Sequence, residues 1–162
     1  VRDSLCVMGY YEDALQRMEH RFGEMVAAPH TTLWEGWEYT GGRGMKYKSG
    51  NGTYNHAWSG GGLTILSQYI AGIAPVEPAF KRFTVEPNLA TLNFVECVVP
   101  TIYGNIEMSA KRVGAQLVIT LIVPQGTTAQ VVVPQGYNNL ECDGVHTQQL
   151  ILTEGKYTII AE

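Results

Sequence analysis

The sequence predicts an α+β chain in two parts, with helices in the first part and an antiparallel β-sandwich in the second. Apolar residues recur at helical spacing in 3–26 and 62–74, and after Pro75 the pattern changes to alternation. Strand signals separated by turn residues every 8–12 residues or so are typical of a sandwich or barrel. We therefore place a domain boundary at Pro75, which gives an incomplete helical part at 1–75 and a β domain at 76–162.

Composition narrows the classes of function. The chain has 162 residues, of which 16% are charged, and a net charge of −4, so it lacks the basic footprint of a nucleic-acid-binding protein. No run of about 20 apolar residues predicts a membrane span. The three cysteines are far apart in sequence, which favours free thiols over a disulfide framework or a zinc site. No motif indicates a cofactor or a metal.

Two helical stretches are predicted in the first part. Residues 3–26 keep one face apolar, with a break near Gly9 and an end at Pro29, which disfavours helix at the preceding residue. Residues 62–74 are apolar nearly all round, so we expect this second helix to be well buried. The chain begins without methionine, in the middle of the first stretch, and we expect it to be a piece of a longer protein.

The residues between these helices form a long glycine-rich loop. Loops of more than about 12–15 residues are uncommon in compact domains unless they serve a function. All three tryptophans lie in this loop, at positions 34, 37 and 58, together with Glu35, Glu38 and His56. Aromatic rings beside carboxylates can form a wall that stacks on a sugar and presents an acid or base to it.

The second part is predicted to contain seven strands. The segment 116–122 is apolar on both faces, which places it in the interior of a sheet. The predicted strands are Phe80–Val85, Leu92–Val99, Gly104–Arg112, Gln116–Ile122, Thr128–Val133, Leu140–Cys142 and Leu150–Ile160, the last with a break at Gly155.

Residue types alone leave the roles in the loop open. Glu35 lies between Trp34 and Trp37, so its carboxylate could be partly removed from water and work as an acid or base, or it could be a surface residue beside core tryptophans. By the same reasoning, Glu38 could work as an acid or base or could be a surface residue. His56 could bind a hydroxyl or be structural. Each of the three tryptophans could stack on a sugar or pack in a core.

Several motifs resemble those of bacterial α-L-rhamnosidases. They are Thr-Thr-Leu-Trp-Glu-Gly-Trp at 31–37, Gly-Thr-Tyr-Asn-His-Ala-Trp at 52–58, Gln-Tyr-Ile-Ala-Gly-Ile at 68–73, Phe-Lys-Arg-Phe at 80–83 and Pro-Thr-Ile-Tyr-Gly-Asn-Ile at 100–106. The resemblance covers essentially the whole chain in order and is densest from 31 to 106. It implies the closing helices of an (α/α)6 catalytic barrel at 1–75, followed by a C-terminal β-sandwich.

The resemblance also implies a reaction and roles for residues. Members of the family hydrolyse terminal α-L-rhamnose from glycosides with inversion. By resemblance, Glu35 stands at the position of the general base, His56 at that of a sugar-contacting histidine, and Trp34 and Trp37 are the rhamnose walls. The general acid is expected outside this chain, so the chain alone is expected to be inactive.

The sequence leaves three alternative functions open. A non-catalytic carbohydrate-binding or scaffold module would use the same aromatic residues without chemistry, whereas another (α/α)-barrel glycosidase or a polysaccharide lyase is less favoured.

The expected partner is a rhamnose-containing glycoside or polysaccharide, with self-association through exposed barrel helices. The sequence indicates no nucleic acid or membrane partner. It does not distinguish a periplasmic or secreted bacterial location from a cytoplasmic one.

Overall fold

A computed structural model describes residues 2–30, 32–35, 45–47 and 50–162. These residues form two compact units, Val1–Ile65 and Leu66–Glu162. The second unit begins before Pro75, where the sequence predicts the boundary. It does so because Ala71 and Ile73 are fully buried in the core of the β unit.

The first unit begins with two helices, as the sequence predicts. Helix α1 spans Arg2–Val7 and helix α2 spans Tyr11–Ala27. The break falls at Gly9, whose φ of 83° is one that glycine adopts without a steric penalty. Helix α2 buries Ala14, Met18 and Met25, which lie on one face, and it ends where Ala28 becomes extended just before Pro29.

The rest of the first unit contains short elements. Strands β1 (Met45–Tyr47) and β2 (Gly50–Gly52) pair as an antiparallel hairpin. A 3₁₀ helix at Ala57–Gly60 leads directly into helix α3, Gly61–Ile65. Gly62 allows α3 to lie against α2, because a Cβ atom at this position would be only 3.1 Å from the Phe22 ring.

The prediction of one buried helix at 62–74 is wrong in two respects. Helix α3 ends at Ile65, the chain continues as a π-helical turn at Leu66–Ile70, and Ile73 already belongs to a strand. Gly72 ends the turn with a φ of 72°, and a Cβ atom there would lie 2.0 Å from the carbonyl oxygen of Glu86. Leu63 is exposed, so the helix is not buried on all sides.

After the π-helical turn, the second unit contains ten strands and a 3₁₀ turn at Pro78–Phe80. The strands are β3 (Ile73–Pro75), β4 (Arg82–Val85), β5 (Phe94–Thr101), β6 (Gly104–Val113), β7 (Gln116–Val123), β8 (Thr128–Val132), β9 (Leu140–Cys142), β10 (Val145–Thr147), β11 (Gln149–Leu152) and β12 (Gly155–Ala161). The seven predicted strands cover eight of these approximately, because one interrupted predicted strand spans both β11 and β12. The sequence misses β3 and β10.

The strands form two sheets. One sheet has the order β10-β9-β12-β7-β6-β5 and the other has the order β11-β8-β4-β3. Strand β7 lies between β12 and β6, which confirms its predicted interior position. The pairs are antiparallel except for β4 and β8, which run parallel, so the prediction of an entirely antiparallel domain needs this correction.

Both sheets contribute to one core. Ile119 and Leu121 from β7 are fully buried in the same cluster as Phe83 from β4 and Val131 from β8. Alternate residues of β7 face this core, which is the pattern of a sandwich with side chains packed between two sheets. The predicted β-sandwich is therefore present in the second unit. No helix in the described part of the chain is long and apolar enough to cross a membrane.

Candidate functional site

Two stretches of the first unit lie side by side and position the predicted site residues. The backbone N–H of Glu35 donates to the carbonyl oxygen of Thr53 at 2.9 Å, and that of His56 donates to the carbonyl oxygen of Leu33 at 2.8 Å. The Thr32 hydroxyl also donates to the carbonyl oxygen of Tyr54. These bonds bring together Glu35 and His56, which are 21 positions apart in the sequence.

The carboxylate of Glu35 is held by Thr53. Its Oε2 atom accepts a hydrogen bond from the Thr53 backbone N–H at 3.0 Å and a longer one from the Thr53 hydroxyl at 3.4 Å. The Glu35 side chain is 37% exposed. Glu35 therefore offers an oriented carboxylate that water and small solutes can reach.

The imidazole of His56 lies beside this carboxylate. Its Nδ1 atom is 3.9 Å from Oε2 of Glu35, and the side chain is 30% exposed. The indole of Trp58 meets the imidazole edge-to-face, with ring centroids 5.8 Å apart and an angle of 69° between the planes. A carboxylate, an imidazole and an indole thus occupy one stretch of surface.

Trp34 lies on the other side of this backbone, away from the surface. Its side chain has no exposed area, and it packs against Met25 of α2 with Phe22 and Leu33 nearby. The Tyr54 ring meets the Trp34 indole edge-to-face at 5.2 Å. Burial is at odds with the expected role of Trp34 as a rhamnose wall, because a buried indole presents no face to a ligand.

The 3₁₀ helix stabilises the backbone of the site through hydrogen bonds. The Ser59 hydroxyl donates to the carbonyl oxygen of Trp34 at 2.5 Å, and the Ser59 backbone N–H donates to the carbonyl oxygen of His56 at 3.1 Å. Trp37, the second expected wall, lies outside the described residues, as does Glu38. The structure therefore describes the surroundings of three of the four predicted site residues.

This geometry suits acid–base chemistry on a hydroxylated ligand. A fixed and partly exposed carboxylate can take a proton from water, and an adjacent imidazole can hydrogen-bond to a hydroxyl group. The exposed indole offers an apolar surface of the kind that stacks on sugar rings. The sequence motif pointed to Glu35 and His56, but it did not single out Thr53, whose backbone and hydroxyl both reach the carboxylate.

The cysteines show no sign of a nucleophilic role. Cys97 and Cys142 are free thiols, as the sequence predicts, and Cys6 and Cys142 are buried. Burial raises the pKa of the Cys97 thiol, and burial followed by the nearby Asp143 and Glu141 raises the pKa of the Cys142 thiol. Both therefore remain protonated near neutral pH and are poor nucleophiles. Within the described residues, no group of three or more His, Cys, Asp and Glu side chains is arranged to hold a metal ion.

The β-sandwich of the second unit matches a known family of domains. Residues 72–147 match the model of the bacterial alpha-L-rhamnosidase C-terminal domain. A curated relative, the alpha-L-rhamnosidase of Formosa agariphila, is 28% identical over 106 residues, which are 64% of this chain and 11% of the relative. The chain therefore spans about a tenth of the length of that relative.

Solved structures show the same fold. The alpha-L-rhamnosidase from Dictyoglumus thermophilum has a TM-score of 0.71 and 22% identity, over 87% of this chain and 17% of that one. The Streptomyces avermitilis alpha-L-rhamnosidase complexed with L-rhamnose has a TM-score of 0.69 and 20% identity, over 87% of this chain and 15% of that one.

These matches identify the second unit first, and then the chain. The two-sheet unit matches the domain found at the C-terminus of bacterial alpha-L-rhamnosidases. Residues 72–147 belong to the bacterial alpha-L-rhamnosidase C-terminal domain family, and the chain corresponds to a C-terminal part of such proteins, which confirms the resemblance found in the sequence. The family model begins at residue 72, so it does not include the surface around Glu35.

Proposed function

We propose that this chain is the C-terminal part of an inverting α-L-rhamnosidase, in which Glu35 is the general base. The observation that carries this proposal is the orientation of the Glu35 carboxylate, with Oε2 held by Thr53 and the His56 imidazole at 3.9 Å. The names of the relatives, and the solved rhamnosidase complexed with L-rhamnose, support a rhamnoside as the substrate.

In the proposed reaction Glu35 activates water. The carboxylate removes a proton from a water molecule while the water oxygen attacks the anomeric carbon of rhamnose from the face opposite the leaving group. The glycosidic bond breaks, and the leaving oxygen takes a proton from a general acid supplied by residues outside this chain. In inverting enzymes the two carboxyl groups stand about 6.5–9.5 Å apart, which leaves room for that water molecule.

The neighbours of Glu35 have supporting roles in this proposal. His56 hydrogen-bonds to a rhamnose hydroxyl beside the base, and Thr53 keeps the carboxylate aimed at the water molecule. Trp34 supports the site from its buried position against Met25 instead of contacting the sugar. Trp37 stays a predicted rhamnose wall.

We further propose that the helices of the first unit are the closing helices of an (α/α)6 catalytic barrel. Large apolar side chains on these helices are exposed, among them Val7 on α1, Val26 on α2 and Leu63 on α3. Helices of a complete barrel pack such side chains against neighbouring helices. Because the base would work with an acid from elsewhere in the barrel, we expect this chain alone to hydrolyse no rhamnoside.

The test is Glu35→Gln in the full-length parent enzyme, which keeps the shape of the side chain but removes its basicity. We expect the kcat for an aryl α-L-rhamnoside to fall by about 10³-fold or more, with rhamnose binding retained, because general bases contribute about 10²–10⁴-fold and the acid alone cannot activate water. A kcat within about tenfold of wild type, or roughly 1.4 kcal/mol, would contradict the assignment.

Glu77→Gln is the matched control for this experiment. The Glu77 side chain is 42% exposed and lies 3.4 Å from the guanidinium of Arg82, so it resembles Glu35 in exposure and in having a basic neighbour. The control variant should retain wild-type kcat and KM. A similar loss in both variants would indicate a general effect of removing a carboxylate charge.

A carbohydrate-binding module without chemistry is the second candidate, and the exposed Trp58 indole favours it. Sugar-binding surfaces use such rings with or without a catalytic carboxylate. In that case Glu35→Gln would weaken binding of rhamnose, and the parent would show no turnover to lose. Turnover by the full-length wild-type protein excludes this candidate.

A further inference from the structure

Trp58 stands out among the described tryptophans because its side chain is 92% exposed. Trp34, which lies on the other side of the backbone, has no exposed area. An indole is a large apolar group, and leaving it in water forgoes the free energy of burying it. An exposed indole beside polar functional groups offers a surface on which the apolar face of a sugar can stack.

The backbone under Trp58 is firmly held. Trp58 is the second residue of the 3₁₀ helix Ala57–Gly60, which begins after His56. Two nearby residues are fixed, because the His56 backbone N–H donates to the carbonyl oxygen of Leu33 at 2.8 Å and the Ser59 hydroxyl donates to that of Trp34 at 2.5 Å. The exposed ring therefore projects from an ordered support, which lowers the entropy cost of binding a ligand against it.

The ring also lies close to the proposed catalytic groups. His56 contacts Trp58 at a ring-centroid distance of 5.8 Å, and its Nδ1 atom is 3.9 Å from Oε2 of Glu35. A sugar that occupies the space above His56 is therefore within reach of the indole. Aromatic rings contact the apolar faces of sugars, and the polar groups of a site contact the hydroxyls.

We propose that Trp58 is the apolar platform for the methyl-bearing side of the terminal 6-deoxyhexose, and so a specificity-determining residue. This inference rests on the proposed function, which supplies the rhamnoside. The methyl group at C6 and the ring C–H groups beside it form the least polar part of that sugar. Contact with the indole removes both apolar surfaces from water.

The platform predicts a preference against the 6-hydroxylated analogue. L-Mannose differs from L-rhamnose only by a hydroxyl in place of a hydrogen at C6, so an apolar platform would leave that hydroxyl without a hydrogen-bonding partner. An apolar pocket typically discriminates against an added hydroxyl by about 10²-fold. Most of that discrimination should depend on the indole.

The experiment compares kcat/KM for aryl α-L-rhamnosides and aryl α-L-mannosides in the full-length parent. Trp58→Ala should reduce the preference for the rhamnoside by about tenfold or more, mainly through KM, whereas Trp58→Phe should retain most of it. Phe94→Ala removes another exposed aromatic ring, 60% exposed on β5, and should leave the preference unchanged. A Trp58→Ala enzyme with an unchanged preference overturns the proposal.

Two further readouts separate this inference from the proposed function. Trp58→Ala should keep the thermal stability of the parent, and a variant that fails to fold shows that the indole is a packing residue, which also overturns the proposal. Calorimetry can measure the affinities of L-rhamnose and L-mannose for the Glu35→Gln variant and for the Glu35→Gln, Trp58→Ala double variant. The comparison gives the contribution of Trp58 to binding in the absence of turnover. If Glu35→Gln stays active but the Trp58 variants lose the preference, the base assignment fails and the platform stands.

Discussion

The two units of this chain differ in how far they bury their apolar side chains. The sandwich encloses a continuous core to which both sheets contribute, with Phe83, Ile119 and Leu140 fully buried. The first unit buries a smaller cluster around Met25 and Trp34, and it exposes Val26 and Trp58 to 85% and 92%. The proposed catalytic groups lie in this first unit.

This difference separates a stabilising role from a functional one. Burial of the core residues stabilises the folded sandwich, and their substitution should lower the free energy of unfolding. Residues around Glu35 are held by hydrogen bonds at a surface, and their substitution should be felt as lost activity. Three experiments test this contrast, beginning with the largest effect.

The first experiment removes a ring from the core of the sandwich. Phe83→Ala should lower the free energy of unfolding by about 3–5 kcal/mol, because Phe83 is fully buried and packs beside Phe80. Phe94→Ala, at a ring that is 60% exposed, should change it by about 0.5 kcal/mol or less. Denaturant titration of this chain measures both values. Equal losses would mean that the described core does not dominate the stability of the sandwich.

The second experiment removes the Thr53 hydroxyl in the full-length parent. Thr53→Val keeps the backbone N–H bond to Glu35 but deletes the longer hydroxyl contact, which should lower kcat about fivefold, or about 1 kcal/mol. KM should change little, since Thr53 acts through Glu35 and not on the sugar. Thr53→Ser should recover most of the rate. Loss of stability without a change in kcat would point to a structural role instead.

The third experiment concerns self-association through the exposed helices of the first unit. Val26→Lys places a charge on an exposed apolar position of α2 and should lower the average mass of concentrated samples in sedimentation. Ile102→Lys is the control, because Ile102 is 82% exposed but lies in a turn of the sandwich. Monomeric wild-type chain at high concentration would remove the basis for this prediction.

The strands were predictable from the sequence because period-two alternation coincides with burial on one face. Strand β9 was located at its exact bounds, Leu140–Cys142, and β7 was correctly placed inside the sheet. Strand β10 was missed, although the Asp143-Gly144 turn before it is a standard hairpin signal with two positive φ values. Strand β3 was missed because its three residues continue an apolar run that also fits a helix.

The site was predictable in its chemistry but not in its geometry. The motif around residues 31–58 pointed to Glu35 and His56, which the structure brings to 3.9 Å. Residue type left open whether Trp34 is buried or exposed, the family resemblance implied a rhamnose wall, and the side chain lies in the core. That choice depends on which side of the backbone meets α2, and this is a tertiary contact that local sequence does not specify.

The most direct test of Glu35 as the general base is chemical rescue in the full-length parent. Glu35→Ala removes the carboxylate and leaves room for azide, which needs no base to act as a nucleophile. We predict that this variant is inactive with an activated aryl α-L-rhamnoside alone, and that added azide restores turnover and yields β-L-rhamnosyl azide, with inverted configuration. Absence of rescue in a folded variant, or formation of the α-azide, would contradict the account.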